Sequence, residues 1–96
     1  MNVIEHNPQT FFLLKANAGY YLDVNCSRSF VGFTITVRLN DNESAQYEAS
    51  GLAYAKSLAE DVNKYQDKFA ARQVDSATAQ QIHQAIITWR DADSDE

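Results

Sequence analysis

Residues 31–40, VGFTITVRLN, hold the most regular hydrophobic pattern in the chain. Apolar and polar side chains alternate here, and the apolar members are Phe33, Ile35, Val37 and Leu39. A period of two residues puts successive side chains on opposite faces of a β-strand. The segment therefore predicts a strand with an apolar face to be covered and a polar face formed by Thr34, Thr36 and Arg38.

Three other short segments have strand-like composition, and turn-forming residues separate them. They are residues 10–16 (TFFLLKA), residues 20–26 (YYLDVNC) and residues 45–49 (AQYEA). Aromatic and branched apolar residues favour strands, whereas the Asn- or Gly-containing runs at 17–19 and 40–44 favour turns. Four strand-like runs joined by short turns predict an antiparallel β-meander of three to four strands.

The boundary before Gly51 has two interpretations. A helix that began at Ser44 would carry a helical stripe of apolar side chains, but it would also contain Gly51. Glycine in a helix interior costs about 1 kcal/mol relative to alanine. We therefore favour a return strand over residues 45–49, followed by a new helix that Ser50 caps.

Two helices are predicted after this join. The first spans residues 52–69, and its predicted buried face consists of Leu52, Ala55, Leu58, Ala59, Val62, Tyr65 and Phe69. The second spans Ala77 to Arg90 and begins at a cap supplied by Asp75 or Ser76. Its predicted apolar face consists of Ala79, Ile82, Ile86 and Trp89.

The predicted fold class is α+β, an antiparallel β-meander of three to four strands followed by two α-helices packed on one face. In that arrangement the first strand leaves one apolar pair uncovered, either Phe11 and Leu13 or Phe12 and Leu14. Together with Tyr21, the uncovered pair forms a predicted contact surface.

The 96 residues fit a single domain. Residues 1–9 are polar and end near the only proline, Pro8, so we expect a loose lead-in. Residues 91–96, DADSDE, place four acids at the C-terminus of the second helix. Because the helix dipole disfavours negative charge at that end, we expect a mobile acidic tail.

The chain is acidic, with a formal net charge of −5 at pH 7. An acidic domain repels phosphate, which disfavours direct nucleic-acid binding, but it complements a basic protein groove that normally holds nucleic acid. The single cysteine, Cys26, rules out an internal disulfide, and no apolar run has the length of a signal peptide or a membrane span. We expect a cytoplasmic protein that does not bind membranes, and a homodimer is left open.

No set of residues in the sequence indicates catalysis, a metal or a cofactor. His6 falls in the lead-in, His83 falls on the polar side of a helix, and Cys26 alternates with core residues of its strand. The alternating acids of the tail lack the central glycine of a calcium loop, and the three glycines are too far apart for a phosphate-binding loop. We therefore predict a protein that is not an enzyme and has no cofactor.

The first predicted helix and the residues after it carry a row of basic side chains, Lys56, Lys64, Lys68 and Arg72. Their spacing in multiples of four makes the row wind partly round a helix. The row favours a solvated helix face, and the alternative is a strip that contacts phosphates or an acidic partner.

The order of elements in residues 32–66 resembles the second half of double-stranded-RNA-binding domains. The matching residues at the helix start are Ser50, Gly51, Ala55 and Lys56. In that family a cluster of lysines at this helix start grips phosphates across the groove. Here Leu52, Ala53 and Tyr54 occupy those positions, so we interpret the resemblance as a shared β-hairpin–helix shape without the RNA-binding function.

Small size, acidic charge, aromatic residues on the sheet and the lack of a catalytic set favour a small acidic interaction protein that occludes a larger, nucleic-acid-handling partner. In these general features the chain is similar to phage-encoded inhibitors of host defence, including anti-CRISPR proteins. The predicted partner-binding residues are Tyr21, Asp23, Arg38, Asp41, Glu43, Glu48, Asp91, Asp93 and Asp95. The alternatives are a nucleic-acid-binding module that uses the basic row and a structural or oligomerisation domain.

Overall fold

The computed structural model describes residues 1–7, 10–16, 19–28 and 31–94, with side chains for all of them except 27, 28, 31 and 92–94. Strands come first along the chain and helices follow. The strands are β1 (Asn2–Asn7), β2 (Phe11–Ala16), β3 (Gly19–Arg28) and β4 (Val31–Arg38). The helices are α1 (Asp41–Ser50), α2 (Leu52–Lys64), α3 (Gln66–Ala70) and α4 (Ser76–Ser94).

The strands form one antiparallel sheet in the order β1-β2-β3-β4. Leu13 lies opposite Leu22 and Val24 lies opposite Ile35, so apolar residues of neighbouring strands share one face. The α+β class and the antiparallel meander are therefore confirmed. The alternation of β4 is also confirmed, since its Ile35 is buried and its Thr34 is exposed.

The lead-in predicted for residues 1–9 is wrong, because Asn2–Asn7 pairs with β2 as an edge strand. The side chains of this strand are alternately exposed and half-buried. The register shifts between Val3 and Glu5, as at a β-bulge. The half-buried positions are Val3, Glu5 and Asn7, so they form no apolar stripe in the sequence. An edge strand with a bulge and half-covered side chains leaves little hydrophobic pattern in a sequence. Residues 8 and 9 of the predicted lead-in lie outside the described part.

The return strand predicted for residues 45–49 is also wrong, because these residues belong to α1. A capping box starts this helix. The backbone N–H of Glu43 donates to Asn40 Oδ1 at 2.8 Å, and the backbone N–H of Asn40 donates to Glu43 Oε1 at 2.9 Å. Two otherwise unpaired donors are satisfied in this way, so the run predicted as a turn is the start of a helix.

Gly51 separates α1 from α2 and takes the place of the predicted Ser50 cap. Its N–H donates to the Tyr47 carbonyl at 2.6 Å, and its carbonyl accepts from the Tyr54 N–H at 3.0 Å. Its φ of 67° and ψ of −139° belong to a region that glycine adopts far more easily than other residues. The bend between the two helices therefore depends on this glycine.

Replacing Gly51 with alanine is expected to lower the free energy of unfolding by about 1–2 kcal/mol, because a side chain strains this backbone conformation. Beyond the chain neighbours, no described atom lies within 4 Å of the added Cβ, so the loss is not one of packing. Gly32→Ala is the matched control, since its Cβ would lie 4.0 Å from the Cys26 carbonyl oxygen, an ordinary contact. Equal melting temperatures of the two variants would contradict the strain at Gly51.

Helices cover both faces of the sheet, whereas the sequence predicted them on one face. On the first face α2 and α3 bury Ala55, Leu58, Ala59, Val62 and Phe69 against β2, β3 and β4. On the second face α4 buries Ile82 and Ile86 against Phe12 and Leu14. The four consecutive residues of β2 that begin at Phe11 are all buried, as expected for a strand covered on both sides.

The chain reaches the second face by passing the edge of β4 between α3 and α4. Gln73 forms a bridge with Val37, and the Val74 N–H donates to the Thr36 carbonyl at 2.9 Å. Phe69 belongs to the core of the first face, and Val74 packs on the core of the second. This crossing is the reason that α4 does not lie beside α2.

The contact surface predicted from an uncovered apolar pair of β2 is therefore wrong. Phe12 and Leu14 are covered by α4, and Phe11 and Leu13 are covered from the other side. Tyr21, which was predicted to extend that surface, is half-buried against the core that α4 forms.

The first predicted helix begins at Leu52 as expected but is broken at Tyr65 into α2 and α3. Tyr65 has a non-helical φ of −114° and ψ of 54°. Leu52 is 41% exposed and Tyr65 is 50% exposed, so both lie outside the buried face to which they were assigned. The rest of that predicted face is buried as expected.

The second predicted helix is confirmed in position and in its cap. Asp75 Oδ1 accepts from the backbone N–H of Thr78 at 3.0 Å, which is the geometry of a helix N-cap. The helix continues to Ser94, past the predicted end at Arg90. Residues 91–94 are therefore helical where a tail was predicted, and residues 95 and 96 lie outside the described part.

Candidate functional site

Two strands present polar side chains on the second face, beside α4. We call this set the polar face, and its cross-strand pairs are Tyr21 with Arg38, Asp23 with Thr36 and Asn25 with Thr34. It lies on the α4 side of the sheet, because Phe12 lies opposite Asp23 and packs on α4. Three predicted partner-binding residues, Tyr21, Asp23 and Arg38, are thus brought together, as the alternation of β3 and β4 indicated.

A cleft of about 310 Å³ lies between α4 and the polar face. The sheet contributes Asp23, Asn25 and Thr34 to its lining, and α4 contributes His83, Ile87 and Arg90. Because the three α4 residues recur at helical spacing, one side of that helix forms a continuous wall. We call this concave site, which combines apolar and ionisable groups, the α4 cleft.

Asp23 lies at the base of the α4 cleft and is 6% exposed. The Thr36 hydroxyl donates to Asp23 Oδ1 at 2.6 Å. Burial raises the pKa of the Asp23 carboxyl above its usual range, and the Thr36 hydrogen bond, His83 and Arg90 offset only part of that rise. A carboxyl with a perturbed pKa, beside two basic side chains in a cleft, is typical of a functional site.

Aromatic rings restrict the Arg90 side chain at the α4 cleft. The Arg90 guanidinium lies over the Phe12 ring, 5.2 Å from its centroid. Trp89 contacts the same ring edge-on at 5.7 Å, and His6 stacks on it at 5.5 Å. His6 was predicted in the lead-in, but it lies in β1, where it is exposed and contacts the rings of Phe12 and Trp89. The sequence carried no signal for Arg90, because its role depends on where α4 packs.

Glu43 and Arg72, which were predicted in the partner-binding set and in the basic row, bind each other. Arg72 Nη1 donates to Glu43 Oε2 at 3.0 Å and Arg72 Nη2 donates to Glu43 Oε1 at 2.7 Å, which makes the pair bidentate. Burial alone would raise the pKa of Glu43, but hydrogen bonds from Arg72 and the Asn40 N–H outweigh it and lower that pKa. This internal pair joins α1 to the segment after α3, and the two site assignments stay predictions.

The other predicted acids lie on two helices. Asp41 and Glu48 are exposed on α1, and Asp91 is exposed near the end of α4. Glu48 Oε2 also accepts from the Tyr20 hydroxyl at 3.1 Å, which holds this carboxylate in place. Asp93 and Asp95 are outside the residues whose side chains are described. Among the predicted acids with described side chains, the exposed ones are therefore two on α1 and one near the end of α4.

The predicted basic row is not one continuous strip. Lys56 and Lys64 are exposed on α2, Lys68 is exposed on α3, and the helix between them is broken at Tyr65. Lys64 Nζ lies over the Tyr65 ring, 5.4 Å from its centroid. Arg72, the last member of the row, is bound in the ion pair with Glu43, and the nucleic-acid-binding alternative stays a prediction.

Among the described residues, no group of His, Cys, Asp and Glu side chains could hold a metal ion. Cys26 is buried in the core of the first face, and burial raises the pKa of its thiol. His83 lies on α4, which covers the second face. The sheet therefore separates Cys26 from His83, and the two cannot form a catalytic dyad.

In comparisons with family models, curated proteins and solved structures, the chain has no match. Within the described residues, none of the helices combines the length and the apolar character that a membrane crossing requires.

Proposed function

We propose that the protein is a small, non-catalytic interaction protein that binds a larger protein through an acidic surface on α1. The supporting observation is the distribution of charge on this helix. Its sequence, DNESAQYEAS, contains three acids and no basic residue. An acidic helix face complements a basic surface on a partner and speeds the encounter with it.

Asp41 and Glu48 lie on the same side of α1. They are seven residues apart, close to two helical turns, so their positions are about 10 Å apart along the helix axis. The third acid, Glu43, is paired with Arg72, which removes that base from the surrounding surface. Two exposed carboxylates at a fixed spacing on a rigid element are therefore the recognition feature we assign.

The partner we propose is a protein that holds nucleic acid in a basic groove. Carboxylates on a helix can contact the lysines and arginines that otherwise contact phosphates, so the complex would exclude nucleic acid by occlusion. In the finer form of this proposal, the partner belongs to a host defence system and the protein inhibits it in the manner of anti-CRISPR proteins.

Reversing both charges, Asp41→Lys with Glu48→Lys, is expected to weaken partner binding at least about tenfold, since like charges that face each other cost roughly 1–3 kcal/mol. The partner is first captured from source cells and identified, and its affinity is then measured by titration. Added salt and added duplex nucleic acid are both expected to displace the protein from it.

Glu60→Lys with Asp61→Lys is the matched control, because it makes the same change of net charge at two exposed positions of α2. It is expected to change the affinity less than the α1 double substitution. A partner without a basic groove, or a complex that resists both salt and nucleic acid, would contradict the proposal. Self-association without another partner would favour the structural or oligomerisation alternative.

A further inference from the structure

The α4 cleft has no part in the function proposed above, yet it combines a buried acid, two basic side chains and an apolar wall. We propose that it binds the carboxylate of a small organic acid, whose apolar body lies against Phe12, Ile86 and Ile87. The site is on a different element from the acids of α1, so either proposal can fail without the other.

The donors of the α4 cleft match a carboxylate. The Arg90 guanidinium has five N–H donors, so it can donate to a carboxylate in addition to the contacts that it already makes. His83 is on the same wall, and the Asn25 amide and the Thr34 hydroxyl are supplied by the sheet. All four side chains are exposed, so a ligand can reach them. Because the Phe12 ring already restricts Arg90, little side-chain freedom is lost on binding.

The apolar lining and the volume limit the size of the ligand. A cavity of about 310 Å³ is at the lower end of the range for small-molecule sites, which favours a compact acid. Ile87 is 49% exposed although it is a large apolar residue. A ligand body that covered it would gain about 25 cal/mol for each Å² of apolar surface removed from water.

Asp23 makes the proposed site sensitive to pH. An ionised Asp23 repels a carboxylate, whereas a protonated Asp23 can donate a hydrogen bond to it. The groups that face Asp23 are the Thr36 hydroxyl from β4, the Phe12 ring from β2, and His83 and Arg90 from α4.

The sign of the pH dependence follows from the environment of Asp23. Tyr21 and Arg38 occupy the next positions on the same face, and neither adds an acid. Burial raises the pKa of Asp23, so its protonated form is reached at a higher pH than for an exposed aspartate. Affinity for a carboxylate is therefore greatest below that pKa and falls as the pH rises through it. A cation would be repelled by Arg90.

Sodium butyrate is the probe, followed by NMR at constant ionic strength. Signals of Asn25, Thr34, His83 and Arg90 are expected to shift, with a higher affinity at pH values below the raised pKa of Asp23 than at pH values above it. Butyramide, which is neutral, and butylammonium, which has the opposite charge, are expected to bind more weakly. The proposal is overturned if either binds as well as butyrate, if butyrate affinity does not depend on pH, or if the shifts lie elsewhere.

Two substitutions test the roles of Asp23 and Arg90 separately. Asp23→Asn keeps an oxygen that can accept from Thr36 but removes the charge, so it is expected to lose most of the pH dependence. Arg90→Gln is expected to weaken binding about tenfold at the lower pH, since it removes hydrogen bonds to a charged group. Lys56→Gln, with the same change of charge on α2, is expected to bind like the wild type.

Unchanged pH dependence in Asp23→Asn, or an affinity of Arg90→Gln equal to that of Lys56→Gln, overturns the assignment of roles. If a variant does not fold, the wild-type titration with the three probes still decides whether the cleft is a carboxylate site.

Discussion

Replacing Ile82 with alanine is expected to lower the free energy of unfolding by about 3 kcal/mol. Ile82 is fully buried in the core that α4 forms with Phe12 and Leu14. Truncation removes apolar atoms from a packed interior and leaves a cavity that the sheet cannot close. A domain of this length has a total stability of roughly 5–15 kcal/mol, so thermal unfolding is expected about 15 °C lower.

Ile87→Ala is the matched control on the same helix. It is the same chemical change, but Ile87 is 49% exposed and belongs to neither core. Its effect on the free energy of unfolding is expected to stay within about 0.5 kcal/mol, as for other surface substitutions. The difference between the two variants therefore measures the effect of burial at Ile82, because the change in helix propensity is the same in both.

Equal destabilisation by the two substitutions would mean that α4 does not pack on the second face. Trp89 supplies a second measurement, because it is half-buried in the same core and is the only tryptophan in the chain. A loosened α4 in Ile82→Ala is expected to change its fluorescence before global unfolding, whereas Ile87→Ala is expected to leave it unchanged.

The part of the fold that the sequence predicted correctly is the part decided by local pattern. The alternation of β4 and the apolar stripe of α4 each follow from one segment and its own period. The placement of α4 depends instead on the chain crossing the edge of β4 at Gln73 and Val74, which no periodicity records. The run from Phe11 to Leu14 contained the missing signal, since burial of consecutive residues requires cover on both faces.

The predictions for α1 and β1 were wrong for different physical reasons. Asn40 and Glu43 form a capping box, but Asn and Asp also favour turns, so the composition of residues 40–44 predicts a turn where a helix begins. β1 had no comparable signal, because it is an edge strand with a bulge and half-covered side chains. Weak amphipathicity at a sheet edge is a general limit of pattern-based prediction.

The candidate site residues also fall into two groups: those that a local pattern predicts and those that depend on how distant segments pack. The period of two residues predicted that Tyr21 and Asp23 share one face of β3, whereas the position of Arg38 opposite Tyr21 depends on the register between β3 and β4. The contribution of Arg90 to the α4 cleft could not be predicted from a local pattern, because it depends on where α4 packs. Arg90 is more than fifty residues along the chain from the strand residues of the cleft. The pairing of Glu43 with Arg72, 29 residues later, also has no local pattern in the sequence. The sequence therefore placed both side chains on the surface.

Replacing Glu43 with alanine is expected to lower the free energy of unfolding by about 3 kcal/mol at neutral pH. The change removes one half of the capping box, which contributes about 1 kcal/mol, and leaves the Arg72 guanidinium without its bidentate partner, at about 2 kcal/mol. The Glu43 side chain is 11% exposed and that of Arg72 is 31% exposed, so solvent screens the pair only in part. Glu43→Gln is expected to lose less, because glutamine can complete a capping box.

The loss caused by Glu43→Ala is expected to shrink in acid. The pKa of Glu43 is lower in the folded protein than in the unfolded chain, so its ionised form stabilises the fold above the unfolded pKa. That contribution disappears as the pH falls through the lowered folded pKa. Urea unfolding near pH 7 and near pH 3 measures the change, and a gap between wild type and variant that is constant with pH would contradict the ion pair.

A double-mutant cycle separates the pair itself from the cap. Glu43→Ala, Arg72→Ala and the double variant are expected to give a coupling energy of about 2 kcal/mol, because the geometry is bidentate and partly buried. Glu60 and Lys64, an exposed pair four residues apart on α2, serve as the control and are expected to couple by no more than about 0.5 kcal/mol. Equal coupling energies in the two cycles would mean that Glu43 and Arg72 interact no more strongly than an exposed pair. Both side chains would then be free to contact a partner as ordinary surface charges.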